Sequence, residues 1–147
     1  MNELDTIRLD VPATHRYLNV VGACITAVLA RVEGLVEPAV VAYSVQLAVH
    51  EICTNIVEHA YAGQPEGRIT ITLALLIEPR CLIISLHDTG RSFDPAHVPA
   101  PNLKDGQVGG YGLFLVRELM DDVSYQPQPG SNCWRLVKGL EPGPPRT

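Results

Sequence analysis

No cluster of lysine or arginine occurs in this 147-residue chain, whose 11 basic side chains are outnumbered by 16 acidic ones for a net charge of −5. That composition, with an isoelectric point near 5.4, lacks the electrostatic footprint of a nucleic-acid or anionic-membrane binder. Any phosphate held here needs a source of positive charge other than a basic patch. CxxC pairs are also missing. The four cysteines, Cys24, Cys53, Cys81 and Cys133, stand 29, 28 and 52 residues apart. This spacing argues against a zinc knuckle or redox dithiol, and apolar neighbours mark them as buried free thiols of a reducing, cytoplasmic setting. The opening MNELDTIRLD lacks the charged-then-apolar order of a secretory signal. The longest uncharged run near it, Tyr17 to Ala30, has 14 residues, too few to span a bilayer. There is no internal repeat.

What is present fits one domain over residues 1–147. Hydrophobic residues make up 46%, enough for a core at this length. Gly and Pro number 12 each, about 16% of the chain against an ordinary sum of roughly 12%. They are not spread evenly: eight lie between Gly90 and Gly112 and eight between Pro127 and Pro145. Ile7, Leu9 and Val11 alternate with charged residues, predicting a first strand of about six residues that Pro12 ends. Leu18, Val21, Ile25, Val28, Leu29 and Val32 recur at helical spacing within residues 13–32, with Gly34 as a stop. Pro38 opens a second helical pattern running to about Tyr61. Residues 68–77 and 81–87 read as a hairpin, and periodicity then vanishes from Thr89 to Gly112. A third helix is predicted over 111–121, a short strand near 123–125, a closing strand over 132–140 and a frayed tail over 141–147. Grouped helices and hairpin-joined strands favour an α+β two-layer sandwich over a doubly wound parallel sheet. A loop of about 20 residues in so small a domain is usually functional or disordered.

Three stretches carry residue types that do chemistry. Within Val49-His-Glu-Ile-Cys-Thr-Asn-Ile-Val-Glu-His-Ala-Tyr61, helical geometry sets Glu51 and Asn55 about 40° apart, with Glu58 beside them. Val45, Val49, Ile52, Ile56 and Ala60 gather on a separate arc. The plain reading is a solvated face. The sharper reading is a metal-bound phosphate, with an amide oxygen as hard ligand to Mg²⁺ and a carboxylate as proton acceptor. His50-Glu51-Ile52-Cys53-Thr54 begins like HExxH, but Thr54 stands where the second histidine is required, so a zinc protease site is excluded.

The second stretch is Asp88-Thr-Gly-Arg-Ser-Phe-Asp-Pro95, after an apolar strand. It is either an ordinary turn or a carboxylate fixed to accept a hydrogen bond from an exocyclic amine, with a glycine leaving room for a flat ring. The third, Gly109-Gly110-Tyr111-Gly112-Leu113-Phe114-Leu115, opens a helix. It is either a flexible hinge or an anion site made from backbone N–H groups and the helix terminus. It is neither a P-loop nor a Rossmann fingerprint, because GxxxxGK[ST] and a βαβ context are both missing.

In this order the stretches resemble the N, G1 and G2 boxes of the ATPase superfamily shared by gyrase, ninety-kilodalton heat-shock chaperones, histidine kinases and mismatch-repair proteins. More closely, ExxxN followed by His59-Ala60-Tyr61, DxGxxFDP, GGxGLxL and Leu119-Met-Asp-Asp-Val123 resemble the bacterial anti-sigma factor serine/threonine kinases over roughly residues 7–140. The resemblance implies a Bergerat-type fold, with a mixed, mostly antiparallel sheet and about three helices on one face. It implies that Glu51 is the general base, Asn55 the Mg²⁺ ligand and Asp88 the acceptor for the adenine amine, with Gly90 making room for the ring. Residues from about 95 to 108 become a lid, with Lys104 assisting the phosphates. Gly109, Gly110, Tyr111 and Gly112 supply its hinge and backbone donors, and Leu113 completes the phosphate site. One departure stands out: Ser92 occupies a position where this branch usually has glycine, which puts lid geometry in question more than adenine recognition.

The implied activity is transfer of the γ-phosphoryl group of ATP, with Mg²⁺, to a Ser or Thr of an anti-anti-sigma factor, alongside sequestration of an alternative sigma factor by a homodimer. Two rivals remain. A binding-only ATP regulator has little need for Glu51 one turn from the metal ligand. A two-component histidine kinase domain is disfavoured because the chain opens directly on its first strand, with no phospho-acceptor helix before it.

Overall fold

The computed structural model describes residues 3–93 and 111–140. The chain runs β1 (Glu3–Pro12), α1 (Leu18–Leu29), α2 (Pro38–Asn55), β2 (Arg68–Leu76), β3 (Cys81–Asp88), α3 (Tyr111–Leu119), β4 (Asp122–Gln126) and β5 (Asn132–Gly139). A 3-10 turn over His15–Tyr17 precedes α1, and a π-helical turn over Ile56–Ala60 continues α2. The five strands form one sheet in the order β1-β2-β3-β5-β4, and every pairing among the described residues is antiparallel. The expected mixed character is therefore corrected to a purely antiparallel sheet. Two helices lie between β1 and β2, β2–β3 and β4–β5 are consecutive antiparallel neighbours, and β3 pairs with β5 across a connection that contains α3 and β4.

Register explains which face meets the helices. Leu9 pairs with Ile71, Ile71 with Leu86, Leu86 with Trp134 and Trp134 with Tyr125. The next row in register is Ile7, Leu73, Ile84, Leu136 and Val123. Apart from Ile7, which is exposed at the sheet edge, these rows pack beneath Leu18, Val21, Ile25 and Leu29 of α1, Val45, Val49, Ile52 and Cys53 of α2, and Val116 of α3 in a single core. The opposite phase carries Thr70, Thr72, Ser85, His87 and Arg135, half-buried or exposed. One face packed and one wetter is the ordinary arrangement of an antiparallel sheet.

The main departures from expectation are at element ends. β1 has ten residues instead of six, because its ladder with β2 continues through charged Asp5 and Glu3. A backbone ladder does not require apolar side chains at an edge. The first helix begins only at Leu18. α2 leaves α-helical geometry after Asn55, and the Tyr61 N–H bonds the Ile56 carbonyl five residues back at 3.1 Å. Such π-turns concentrate at functional sites. Taken through this turn, the helix Pro38–Ala60 is long and apolar enough to cross a membrane by length and composition alone. Its apolar arc is packed on the sheet, which accounts for its hydropathy as a core helix.

Candidate functional site

Strand parity decides where Asp88 points. Leu82, Ile84 and Leu86 of β3 face the helices, and Asp88 shares their phase, so a carboxylate ends an aliphatic row. On β5, Leu136 and Trp134 face the same way, followed by Asn132, directly opposite Asp88 in the ladder. Asp88 is 1% exposed and Asn132 0%. Burying such groups is costly unless they are hydrogen-bonded. Here Asp88 Oδ1 accepts from the Gly90 N–H at 2.9 Å and from Asn132 Nδ2 at 2.9 Å. Asp88 Oδ2 receives no hydrogen bond from the described residues.

The segment after β3 is clamped to the end of α2. Arg91 N–H donates to the Ala60 carbonyl at 2.7 Å, and Thr89 N–H donates to Tyr61 Oη at 2.9 Å. The Tyr61 hydroxyl in turn donates to the Arg68 carbonyl at 2.6 Å. A Cβ on Gly90 would lie 2.4 Å from the Ala60 carbonyl oxygen, a backbone atom that cannot yield, so only glycine fits. Ser92, by contrast, is unstrained. Among the described residues, the non-glycine ones at positive φ are Glu37 and Ala62, so a side chain at 92 costs the loop nothing in backbone conformation. Its hydroxyl donates to Asn132 Oδ1 at 2.7 Å.

At the other end, Glu51 and Asn55 are half-buried on the flank of α2. With Thr54, Gly112, Leu113 and Phe93 they line a cavity of about 300 Å³, at the lower edge of the usual range for ligand sites, roughly 300–1,000 Å³. Gly112 lies in the first turn of α3, where a Cβ would stand 2.9 Å from Glu51 Oε2. The bare backbone of that helix start and the carboxylate therefore approach closely. Glu58 turns toward His15, 3.4 Å away, and both remain exposed.

The predicted residues thus fall into two groups. Glu51, Asn55, Gly112 and Leu113 share one cavity. Asp88 does not line it, and Gly90 borders a shallow depression of about 450 Å³ with Ala60, Tyr61 and Arg91. Phe93 and Trp134 join the groups: both line the Glu51 cavity, their rings lie 6.0 Å apart, and they belong to the loop and strand that hold Asp88. Phe93 N–H also donates to Tyr125 Oη at 2.8 Å. Tyr111 opens α3. Lys104, Gly109, Gly110 and the lid over about 95–108 lie outside the described residues, as does the 141–147 tail.

Burial pushes the Cys53 thiol up to about 12. Cys133 is raised by burial and then by the Asp88 charge. Tyr125 is raised chiefly by burial; the Phe93 hydrogen bond opposes this and Asp88 adds to it. Asn132, Phe93, Trp134 and Tyr61 were not among the predicted site residues. Asn132 had a readable signal, since it is a polar residue in the phase of Trp134 and Leu136.

A nucleotide-bound Mg²⁺ suits this donor set. Magnesium keeps waters and substrate phosphates and takes only one or two protein oxygens, which the Asn55 amide can supply. Among the described residues there is no cluster of three His, Cys, Asp or Glu that would form a dedicated metal cage.

A buried carboxylate at a strand end, a polar helix flank and a glycine-opened helix beside one antiparallel sheet define the ATPase class that includes histidine kinases. The profile of the histidine kinase-like ATPase domain matches residues 11–138, and the chain belongs to that family. Within it, the relatives are serine-protein kinases of the RsbW type. The Oceanobacillus iheyensis protein is 32% identical over 139 residues, covering 88% of this chain and 84% of its own length. The Bacillus subtilis protein is 29% identical over 137 residues, covering 88% and 82%. Among solved structures, the RsbU and RsbW domains of a Mycobacterium tuberculosis protein share the fold with a TM-score of 0.68 at 20% identity, over 93% of this chain and 33% of that one. The histidine kinase domain of an Erythrobacter litoralis blue-light activated kinase gives 0.57 at 18% identity, over 88% and 62%. The chain thus spans about a third of the first structure and somewhat under two thirds of the second.

Proposed function

We propose that this chain is an anti-sigma regulatory kinase that transfers the γ-phosphoryl group of ATP to a Ser or Thr of an anti-anti-sigma protein and, by the same regulatory logic, sequesters an alternative sigma factor. The observation that carries the reading is Glu51 set one helical turn before Asn55, both lining a cavity against the glycine-opened start of α3. Phosphoryl transfer needs alignment and charge neutralisation more than covalent help. Asn55 would hold Mg²⁺, which supplies the charge that offsets the triphosphate in this acidic chain. Asp88 accepts the adenine amine through Oδ2, and Gly90 admits the ring. Lys104, Gly109, Gly110, Tyr111, Gly112 and Leu113 attend the phosphates.

In the transfer step, the partner's hydroxyl oxygen forms a bond to the γ-phosphorus while the bond to the β–γ bridging oxygen breaks and ADP leaves. Glu51 takes the hydroxyl proton. The protein acts in the cytoplasm as a homodimer, with protein partners only. The test is incubation with γ-labelled ATP and each anti-anti-sigma-like protein encoded nearby in the genome. Label on a Ser or Thr of one of them is the expected result. ATP binding without transfer to any would make the chain a binding-only regulator.

A further inference from the structure

Asn132 is the most enclosed polar side chain among the described residues, and its bonding pattern has one consistent orientation. Nδ2 lies 2.9 Å from Asp88 Oδ1, 3.0 Å from the Gly90 carbonyl and 3.3 Å from the Arg91 carbonyl. Oδ1 accepts from the Ser92 hydroxyl at 2.7 Å and from the Gln128 N–H at 3.3 Å. A flipped amide would set an oxygen against a carboxylate and two carbonyls, and its NH₂ against the Gln128 N–H donor. One side chain thus ties the end of β3, the loop after it and the turn before β5 to a single carboxylate oxygen.

We propose that Asn132 and Ser92 form a positioning pair that locks Asp88 through Oδ1, holds Oδ2 toward the purine 6-position, and thereby sets selectivity for an adenine over a guanine nucleotide. The proposal rests on the adenine-binding reading of Asp88. An adenine presents an N–H donor at that position and a guanine presents a carbonyl acceptor. A carboxylate that cannot turn away rewards the first and repels the second, whereas a loose one relaxes and discriminates less. Preorganised groups discriminate because their misfit with the wrong ligand cannot be relieved. The hydroxyl of Ser92 supports this by occupying the acceptor side of Asn132, so that both amide hydrogens stay on the Asp88 side.

The test measures affinity of the whole chain for three nucleotides with Mg²⁺: ATP, GTP, and purine riboside triphosphate, which lacks the 6-amine. In the wild type, ATP is expected to bind at least tenfold more tightly than either of the others. Asn132→Ala should weaken ATP about tenfold while leaving the analogue without the amine within about twofold, collapsing the ratio. A purely structural role would weaken both equally. Ser92→Ala, in an exposed loop that does not disturb the sheet, should reduce the ratio about threefold, and Ser92→Thr, which keeps the hydroxyl, should restore it. If Asn132→Ala does not fold, the Ser92 pair decides the matter.

Asp88→Asn separates the two levels of the argument. If it abolishes the ratio while the Asn132 or Ser92 variants keep it, the positioning pair is overturned and the adenine reading stands. If the wild type shows no preference for the 6-amine, or no ATP binding at all, the pair and the adenine reading fall together.

Discussion

The two ends of the site are held by opposite means. At the Asp88 end, the carboxylate is 1% exposed and its neighbour Asn132 reaches into four separate backbone or side-chain partners besides it. At the Glu51 end, two half-buried polar groups make no side-chain hydrogen bond to another described residue, and their placement comes from the apolar arc of α2 packed on the sheet. Among the described residues, one end is tied into a hydrogen-bonded network and the other has no side-chain partner at either oxygen-bearing group. The difference matches the chemistry proposed for each. Reading a flat base rewards rigidity, whereas an arriving metal and a reacting hydroxyl need oxygens that are not already satisfied by the protein.

The largest expected effect comes from emptying the Glu51 end. Glu51→Ala should lower phosphoryl transfer about 10²-fold or more, the usual size of a general-base contribution, while MgATP affinity stays within about tenfold. A single-turnover transfer assay beside an affinity titration separates the two, and unchanged transfer removes Glu51 from the mechanism. Asn55→Ala, next in size, should weaken nucleotide binding about tenfold in Mg²⁺ and little in its absence, since one hard-oxygen ligand is lost. A wild type that binds ATP equally with and without Mg²⁺ would deny Asn55 its role.

Gly112→Ala sharpens the comparison because activity and stability should move apart. The added methyl would stand 2.9 Å from Glu51 Oε2, so the carboxylate must move and transfer should fall roughly tenfold. Alanine in place of glycine within a helix contributes up to about 1 kcal/mol toward folding. A thermal melt should therefore hold steady or rise as turnover drops. A melt that falls with turnover would mean that the residue supports the fold rather than the placement of Glu51.

How much of this was legible in the sequence follows the same division. The helical stripe was readable because α-helical periodicity is strict: Val45, Val49, Ile52 and Ile56 are buried, and Glu51 and Asn55 lie on the neighbouring flank. What periodicity could not show was the change to π-geometry after Asn55, since nothing in Ile-Val-Glu-His-Ala specifies a five-residue hydrogen bond. Asp88 was picked out by its motif, yet its burial follows only from strand parity and register. Asn132 needed both the parity of β5 and the pairing with β3, and pairing between strands 44 residues apart is a tertiary fact. Ser92 looked like a source of strain because its φ was unknown. The loop in fact keeps it out of the left-handed region and gives its hydroxyl a partner.

The smallest effect tests whether the Asp88 end is electrostatically closed. Tyr125 is raised above the ordinary tyrosine range by burial, and the Asp88 charge adds to this. A group whose folded pKa is raised binds more protons in the native state than in the unfolded chain once the pH passes its unfolded value. Its contribution is therefore complete below that value and is lost as pH climbs through the folded one. The same sign holds for Cys53, between its ordinary value of 9.0 and about 12. Stability should decline with rising pH through the alkaline range. Cys53→Ala should flatten much of that slope at the cost of a small packing defect. Asp88→Asn should lower the Tyr125 titration seen by tyrosinate absorbance, with Tyr125→Phe subtracted to isolate it, and should leave the Cys53 part of the slope unchanged. A Tyr125 titration that ignores Asp88 would mean that solvent screens the carboxylate, and the contrast between a locked end and an open one would lose its electrostatic half.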